Sequence, residues 1–393
     1  MSDVAERYVE LGLRLGRHVD GLVDAYFGPA EIAERIDAEE LRAPGDLARD
    51  AVSLMAALDE DGLAETRGTW LRAQLVGLET VARRLAGEEI AFEDEVERCY
   101  GVRPERVPEE RFEEVHRALA EALPGDGSVA QRYQAWRDAD ALAGETLAQV
   151  MDSLARELRT RARRLVGLPE GESVEFEYVT DEPWSAFNYY LGDLRSRIAV
   201  NMDVPLTPTF VVEVVAHETY PGHHCEHAWK EELLYRKGGQ LEESIYVIGT
   251  PQSLVSEGIA SLAVEIALGD ELEAVTVEHL SGTGVRYDPQ VSAATREAAR
   301  PLDGVGTNVA LMLHAEGRSR DEGFEYLKRW GLASDRRAEQ ALRFITDPVW
   351  RSYLTTYTDG YRVCKAFVDG DPARFRRLLT EQLTPADLVQ VSE

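Results

Sequence analysis

Between Val211 and His227 the chain reads VVEVVAHETYPGHHCEH, and four of its eight histidines (His217, His223, His224, His227) fall within eleven residues, interleaved with Glu218 and Glu226. Such crowding is hard to explain as core packing. The apolar run Phe210, Val211, Val212, Val214, Val215 leads straight into His217 and Glu218, which predicts a buried helix delivering an imidazole and a carboxylate into a cavity. Thr207 followed by Pro208 supplies an N-cap and first-turn pair for that helix. Imidazole and carboxylate are zinc donors, and a catalytic zinc keeps one position for a water whose pKa it lowers to about 7. The usual pair of histidines four apart on one helix face is absent after His217, because His223 and His224 come six and seven residues later.

Composition narrows the setting. A chain of 393 residues with 44% apolar and 8% aromatic content is long enough for two or three cores and suits a globular protein. Its formal charge of −29 repels phosphate backbones and anionic lipid, so nucleic acid and membrane are poor partners. The amino terminus MSDVAERYVELG lacks the basic and apolar regions of a signal peptide, and Cys99, Cys225 and Cys364 are odd in number and widely spaced. Both features predict a cytoplasmic protein.

Residues 2–165 read as helical throughout, with breaks at Gly28–Pro29, Pro44–Gly45, Gly101–Pro104 and Pro124–Gly125, and with one long helix over Ala135–Val166. The period then changes. Val174, Phe176 and Tyr178 alternate with glutamates, and Arg197–Asn201 follows a turn at Gly192–Asp193, which predicts a small sheet just before the histidine helix. Thr250–Pro251 opens a second apolar helix that ends at Gly269 and carries Glu257, Ser261 and Glu265 at four-residue spacing on one face. The division expected is a helical lobe over 1–165 and a catalytic lobe over 166–393.

HETYPGHH resembles the HExxPGHH signature of the domain of unknown function 885 family, which is placed with gluzincin-like metallopeptidases. Glu257-Gly258-Ile259-Ala260-Ser261-Leu262-Ala263-Val264-Glu265 resembles that family's second signature, EGWALYAE, with Ile259 and Leu262 replacing its aromatic residues. Tyr357-Thr358-Asp359-Gly360 resembles a YxxG element near its carboxyl end. The similarity is best over residues 175–365. It implies a mainly α, two-lobed, zincin-like metallopeptidase with a deep cleft and a small β-sheet beside the active-site helix. Zn2+ would be held by His217, His223 and Glu257, with Glu218 as base and Tyr357 as a donor to the oxyanion. Short peptides are the implied substrates. A non-peptide amide, or a catalytically silent metal-binding role, remains open.

Other residues carry weaker expectations. In a regular helix His223 would lie about 9 Å along the axis from His217, too far to share an ion, so the helix must break between them. Pro221, which lacks an N–H, and permissive Gly222 supply the break. That leaves His224 to hydrogen-bond around the metal or touch substrate. Arg195 and Arg197 either clamp a peptide carboxylate beside a substrate-pairing strand or lie on a solvated face. Glu265 falls in the same outer group, and Tyr357 shares helical spacing with Tyr353 and Tyr361, as an aromatic packing stripe would. A rival pattern, His223, Glu226 and His227, spells the inverted HxxEH order.

Overall fold

The computed structural model describes residues 3–60, 62–181, 186–203, 206–348 and 350–390. Its amino-terminal part consists of α1 (Asp3–Gly16), β1 (Val23–Tyr26), α2 (Ala30–Asp37), α3 (Pro44–Leu58), α4 (Glu65–Leu85), α5 (Phe92–Tyr100), α6 (Glu109–Ala122), α7 (Val129–Asp138) and α8 (Gly144–Leu165). Strands β2 (Ser173–Val179), β3 (Ala186–Gly192) and β4 (Arg195–Asn201) precede α9 (Pro208–Glu218) and α10 (His223–Lys230). After a π-helical turn come β5 (Ile245–Val247) and α11 (Pro251–Leu268). The remainder is helical: α12 (Leu272–Leu280), α13 (Pro289–Ala299), α14 (Gly304–His314), α15 (Arg320–Trp330), α16 (Asp335–Thr346), α17 (Thr355–Val368), α18 (Pro372–Thr380) and α19 (Pro385–Gln390). The protein is mainly α-helical with a small sheet.

Two readings of the amino-terminal half are corrected. The single helix expected over Ala135–Val166 is two, because the chain turns at Asp140 and Gly144, both at positive φ, and Leu142 bridges to Leu206. Nor are residues 2–165 helical throughout, since β1 pairs antiparallel with β5, a partner more than two hundred residues away. No local period announces a strand of four residues whose partner is that remote.

The main sheet has the order β2-β4-β3, parallel between β2 and β4 and antiparallel between β4 and β3. The strand carrying Arg195 and Arg197 is therefore central, with its backbone groups engaged on both sides, and it cannot receive a substrate strand. The edge strand nearer the histidine helix is β3, where Asn188 Nδ2 donates to the backbone oxygen of Glu218 at 2.7 Å.

Buried apolar side chains form two large clusters. One joins α1, α3, α4 and α5 to Tyr190, residues 241–254 and α14 to α16. The other joins α8 to Ile198, Val200, α9, α11, α17 and α18. Each draws on both sides of residue 165, and α11 runs between them, giving Leu254 to the first and Val255, Ile259, Leu262 and Ala263 to the second. Every residue from Pro251 to Ala260 is buried. Glu257 is thus no solvated helical glutamate.

Helices α11 and α17 touch backbone to backbone. A Cβ on Gly258 would lie 2.4 Å from the Gly360 oxygen and 2.5 Å from Cys364 Sγ, and one on Gly360 would lie 2.4 Å from the Leu254 oxygen. The glycines of the two carboxyl-terminal signatures are therefore partners in one crossing, which sets Tyr353, just before α17, against Glu257. Gly258→Ala and Gly360→Ala should each destabilise the chain by roughly 1–3 kcal/mol, the usual cost of overpacking. Urea unfolding of either variant at the wild-type midpoint would show that the helices have slack here.

Candidate metal centre

The break expected between His217 and His223 is present, and its geometry is tight. Helix α9 ends at Glu218, the Tyr220–Pro221 peptide is cis, and Gly222 N–H returns to the Ala216 oxygen at 3.1 Å. A Cβ on Gly222 would lie 1.9 Å from the His217 oxygen, so only glycine lets the chain press against the helix end. Starting α10 there returns His223 to His217, with the two Nε2 atoms 3.1 Å apart.

Glu257 completes the group. Its Oε2 lies 3.5 Å from His217 Nε2 and its Oε1 lies 3.8 Å from His223 Nε2. One donor atom from each of the three falls within 4.8 Å of the others, the sole such group of three or more among the described residues. Donors about 2.0–2.1 Å from a tetrahedral zinc are about 3.4 Å apart, so these separations bracket what one ion requires. The charges agree. Glu257 is 4% exposed and its Oε2 has no hydrogen-bond partner, a costly state for a buried carboxylate unless a cation compensates it. Burial holds the His223 pKa down at about 3, with His217 and His227 adding to the effect against Glu257, so its ring is neutral and can offer a lone pair. The residues present fit a zinc ion.

Glu218 stands next to this group without belonging to it. Burial, reinforced by the charge of Glu257 and opposed by His217, pushes its carboxyl up to about 7, the range in which a carboxylate takes and returns protons at neutral pH. Two tyrosines of the α17 region differ in task. Tyr353 is buried and donates to Glu257 Oε1. Tyr357 stands edge-on to the Tyr353 ring at 5.7 Å between centroids and is 41% exposed.

Several residues singled out in the sequence lie elsewhere. His224 is fully buried and faces away, with Nδ1 2.8 Å from Ser196 Oγ and Nε2 3.2 Å from Glu172 Oε2. Glu172 also accepts from Tyr220 and Arg159, so His224 belongs to a buried network that pins α10 to the sheet. Arg197 reaches Glu177 at 3.3 Å and covers the Tyr189 ring, while Arg195 is largely exposed, 4.0 Å from Asp193. The solvated-face reading fits both. Glu265 lies two helical turns beyond Glu257, in a surface network with Tyr361, Lys365 and Arg300. The inverted pattern does not assemble: Glu226 is taken by Lys230 and Ser256, and the His227 ring stacks on His223 at 6.2 Å instead of converging with it.

Sequence reasoning passed over Asn188 and Asp24, and read Tyr353 only as part of an aromatic stripe. Asp24 sits where the β1–β5 register slips between Val23 and Ala25, a bulge of the kind that re-aims side chains near sites. Burial, with the charges of Glu257 and Glu218, pushes its carboxyl up to about 7. The segment DAYFGP carries no motif, and only the strand pairing brings it here.

No protein-family model matches the chain, and no curated protein does. Among solved structures it is similar to "the putative lipoprotein from Colwellia psychrerythraea", with 13% identity and a TM-score of 0.52 over 89% of this chain and 69% of that one. A "putative lipoprotein of unknown function from Shewanella oneidensis" aligns at 11% identity and a TM-score of 0.49, over 96% of this chain and 76% of that one. At such identities the likeness concerns the fold alone. Among the described residues, no helix is long and apolar enough to cross a membrane.

If His217, His223 and Glu257 are the donors, His217→Ala and His223→Ala should each lose stoichiometric zinc, measured by elemental analysis after dialysis. His224→Ala and His227→Ala should retain it. Zinc lost on His227→Ala but kept on His217→Ala would restore the inverted pattern.

Proposed function

We propose that this chain is a zinc-dependent peptidase of the two-lobed, gluzincin-like kind, acting on short peptides in the cytoplasm. The observation that carries the reading is the convergence of His217, His223 and Glu257 beside a buried Glu218 whose carboxyl is pushed up to about 7. A purely metal-binding protein has no use for such a base. The motifs HETYPGHH and EGIASLAVE support the resemblance to the domain of unknown function 885 family, and three free, buried cysteines suit a reducing compartment.

A bound zinc supplies a water of lowered pKa and polarises the scissile carbonyl. Glu218 takes the proton of the attacking water and passes it to the leaving amine. Asn188 holds Glu218 in place through its backbone oxygen, and Tyr353 orients Glu257. Tyr357, 41% exposed, donates a hydrogen bond from its hydroxyl to the developing oxyanion. Asp24 lies outside the donor set, and the amino end of a peptide beside it would favour the charged form that burial and the neighbouring carboxylates oppose.

Glu218→Gln should keep zinc and lose roughly two to four orders of magnitude in turnover on a peptide library read by mass spectrometry. Near-normal turnover with zinc bound would remove Glu218 from the mechanism. Hydrolysis of acylated amines but of no peptide would favour the non-peptide amidase, and a zinc-loaded chain that cuts neither would be the silent binder. Asp24→Asn should raise KM about tenfold for peptides with a free amino end while leaving N-acetylated peptides unchanged, the loss of roughly one charge-assisted hydrogen bond. An equal effect on both kinds would remove Asp24 from recognition.

A further inference from the structure

Glu226 and Ser256 are left without a task by the proposed chemistry, yet both are fully buried against the metal group. Ser256 precedes Glu257 on α11, and Glu226 lies three residues after His223 on α10, so each helix delivers one proposed ligand and one of these residues from neighbouring positions. The contacts form a line. His223 Nδ1 is 3.1 Å from Ser256 Oγ, Ser256 Oγ donates to Glu226 Oε2 at 2.5 Å, and Lys230 Nζ donates to Glu226 Oε1 at 2.6 Å.

Proton counting decides the direction of every bond in that line. Lys230 offers donors only, and the carboxylate it pairs with offers acceptors only. Ser256 has a single proton, and Glu226 takes it. The serine oxygen can therefore only accept from His223, which places a hydrogen on Nδ1 and leaves the lone pair on Nε2. That is the nitrogen 3.1 Å from His217 Nε2 and 3.8 Å from Glu257 Oε1. The opposite tautomer would strip a buried carboxylate oxygen of its donor.

We propose that Ser256 and Glu226, anchored by Lys230, are positioning residues that hold His223 in the tautomer able to ligate a divalent cation through Nε2. The inference rests on the zinc reading above. It also gives the HHCEH segment a second role, in which its glutamate directs a ligand from behind. The His227 ring, stacked on His223 at an interplanar angle of 22°, hinders the rotation that would exchange the two nitrogens.

The test uses the full chain loaded with zinc. Ser256→Ala leaves the Glu226–Lys230 pair intact, so it keeps the measurement clear of a buried unpaired lysine. Chelator competition should show zinc affinity about 10- to 100-fold weaker than wild type, as for other residues that orient a ligand from behind. In the zinc-free chain, histidine 15N spectra should show the His223 Nδ1–H in the wild type and lose that signal in Ser256→Ala, with His217 unchanged. Glu226→Gln, where it folds, should weaken zinc in the same range. Wild-type affinity in Ser256→Ala, or an unprotonated Nδ1 on His223 in the wild type, overturns the proposal. So does a weakening matched by an equal loss of stability in the zinc-free chain, because packing then accounts for it. Zinc retained by His223→Ala instead sinks the metal reading itself, which separates the two failures.

Discussion

The centre of this protein depends on how closely the chain can press against the end of its own helix. Gly222 sits where any side chain would overlap the His217 carbonyl, and this approach starts a new helix one turn away from where the old one stopped. Two histidines six residues apart thereby bring their Nε2 atoms to hydrogen-bond distance. An uninterrupted helix would separate them by about 9 Å along its axis. The Asn188 amide donating to the Glu218 oxygen and the Gly222 N–H donating to the Ala216 oxygen satisfy carbonyls that the broken helix leaves behind. The break is thus a complete piece of local structure.

A second close approach brings the third donor. Gly258 and Gly360 let α11 and α17 meet at backbone distance, and α11 is buried on all sides from Pro251 to Ala260 as it passes between the two apolar clusters. A carboxylate in such a helix is costly, and its remaining oxygen has no donor within the protein. The same helix places Ser256 against Glu226 and His223. Charge surrounds this arrangement. With Asp24, Glu218 and Glu257 within one another's fields, the site is a crowd of carboxyls, two of them pushed up to about 7, in a chain that is already strongly acidic. Such a region attracts a divalent cation and an ammonium group and disfavours a carboxylate, which agrees with Arg195 and Arg197 being engaged elsewhere.

The amino-acid sequence by itself determined the features whose causes are local. Thr207–Pro208 and Thr250–Pro251 open helices where they were read to, though neither threonine side chain makes a cap hydrogen bond, Gly192–Asp193 turns between strands, and Pro221–Gly222 ends α9, because the fixed φ of proline and the absence of a Cβ act over a few residues. The crowding of His217, Glu218 and His223 likewise singled out two imidazoles and a carboxylate that stand side by side in the fold. Tertiary structure alone decided the rest. It split Ala135–Val166, because Leu142 found Leu206; it made the Arg197 strand central, because β2 and β3 both pair with it; and it turned His224 toward Glu172. It also brought Asp24 from β1 and Tyr353 from just before α17 to Glu218 and Glu257. Contacts between residues tens to hundreds of positions apart leave no period or spacing in the sequence. They are settled by which apolar faces close on one another and by which buried polar atoms must then find partners.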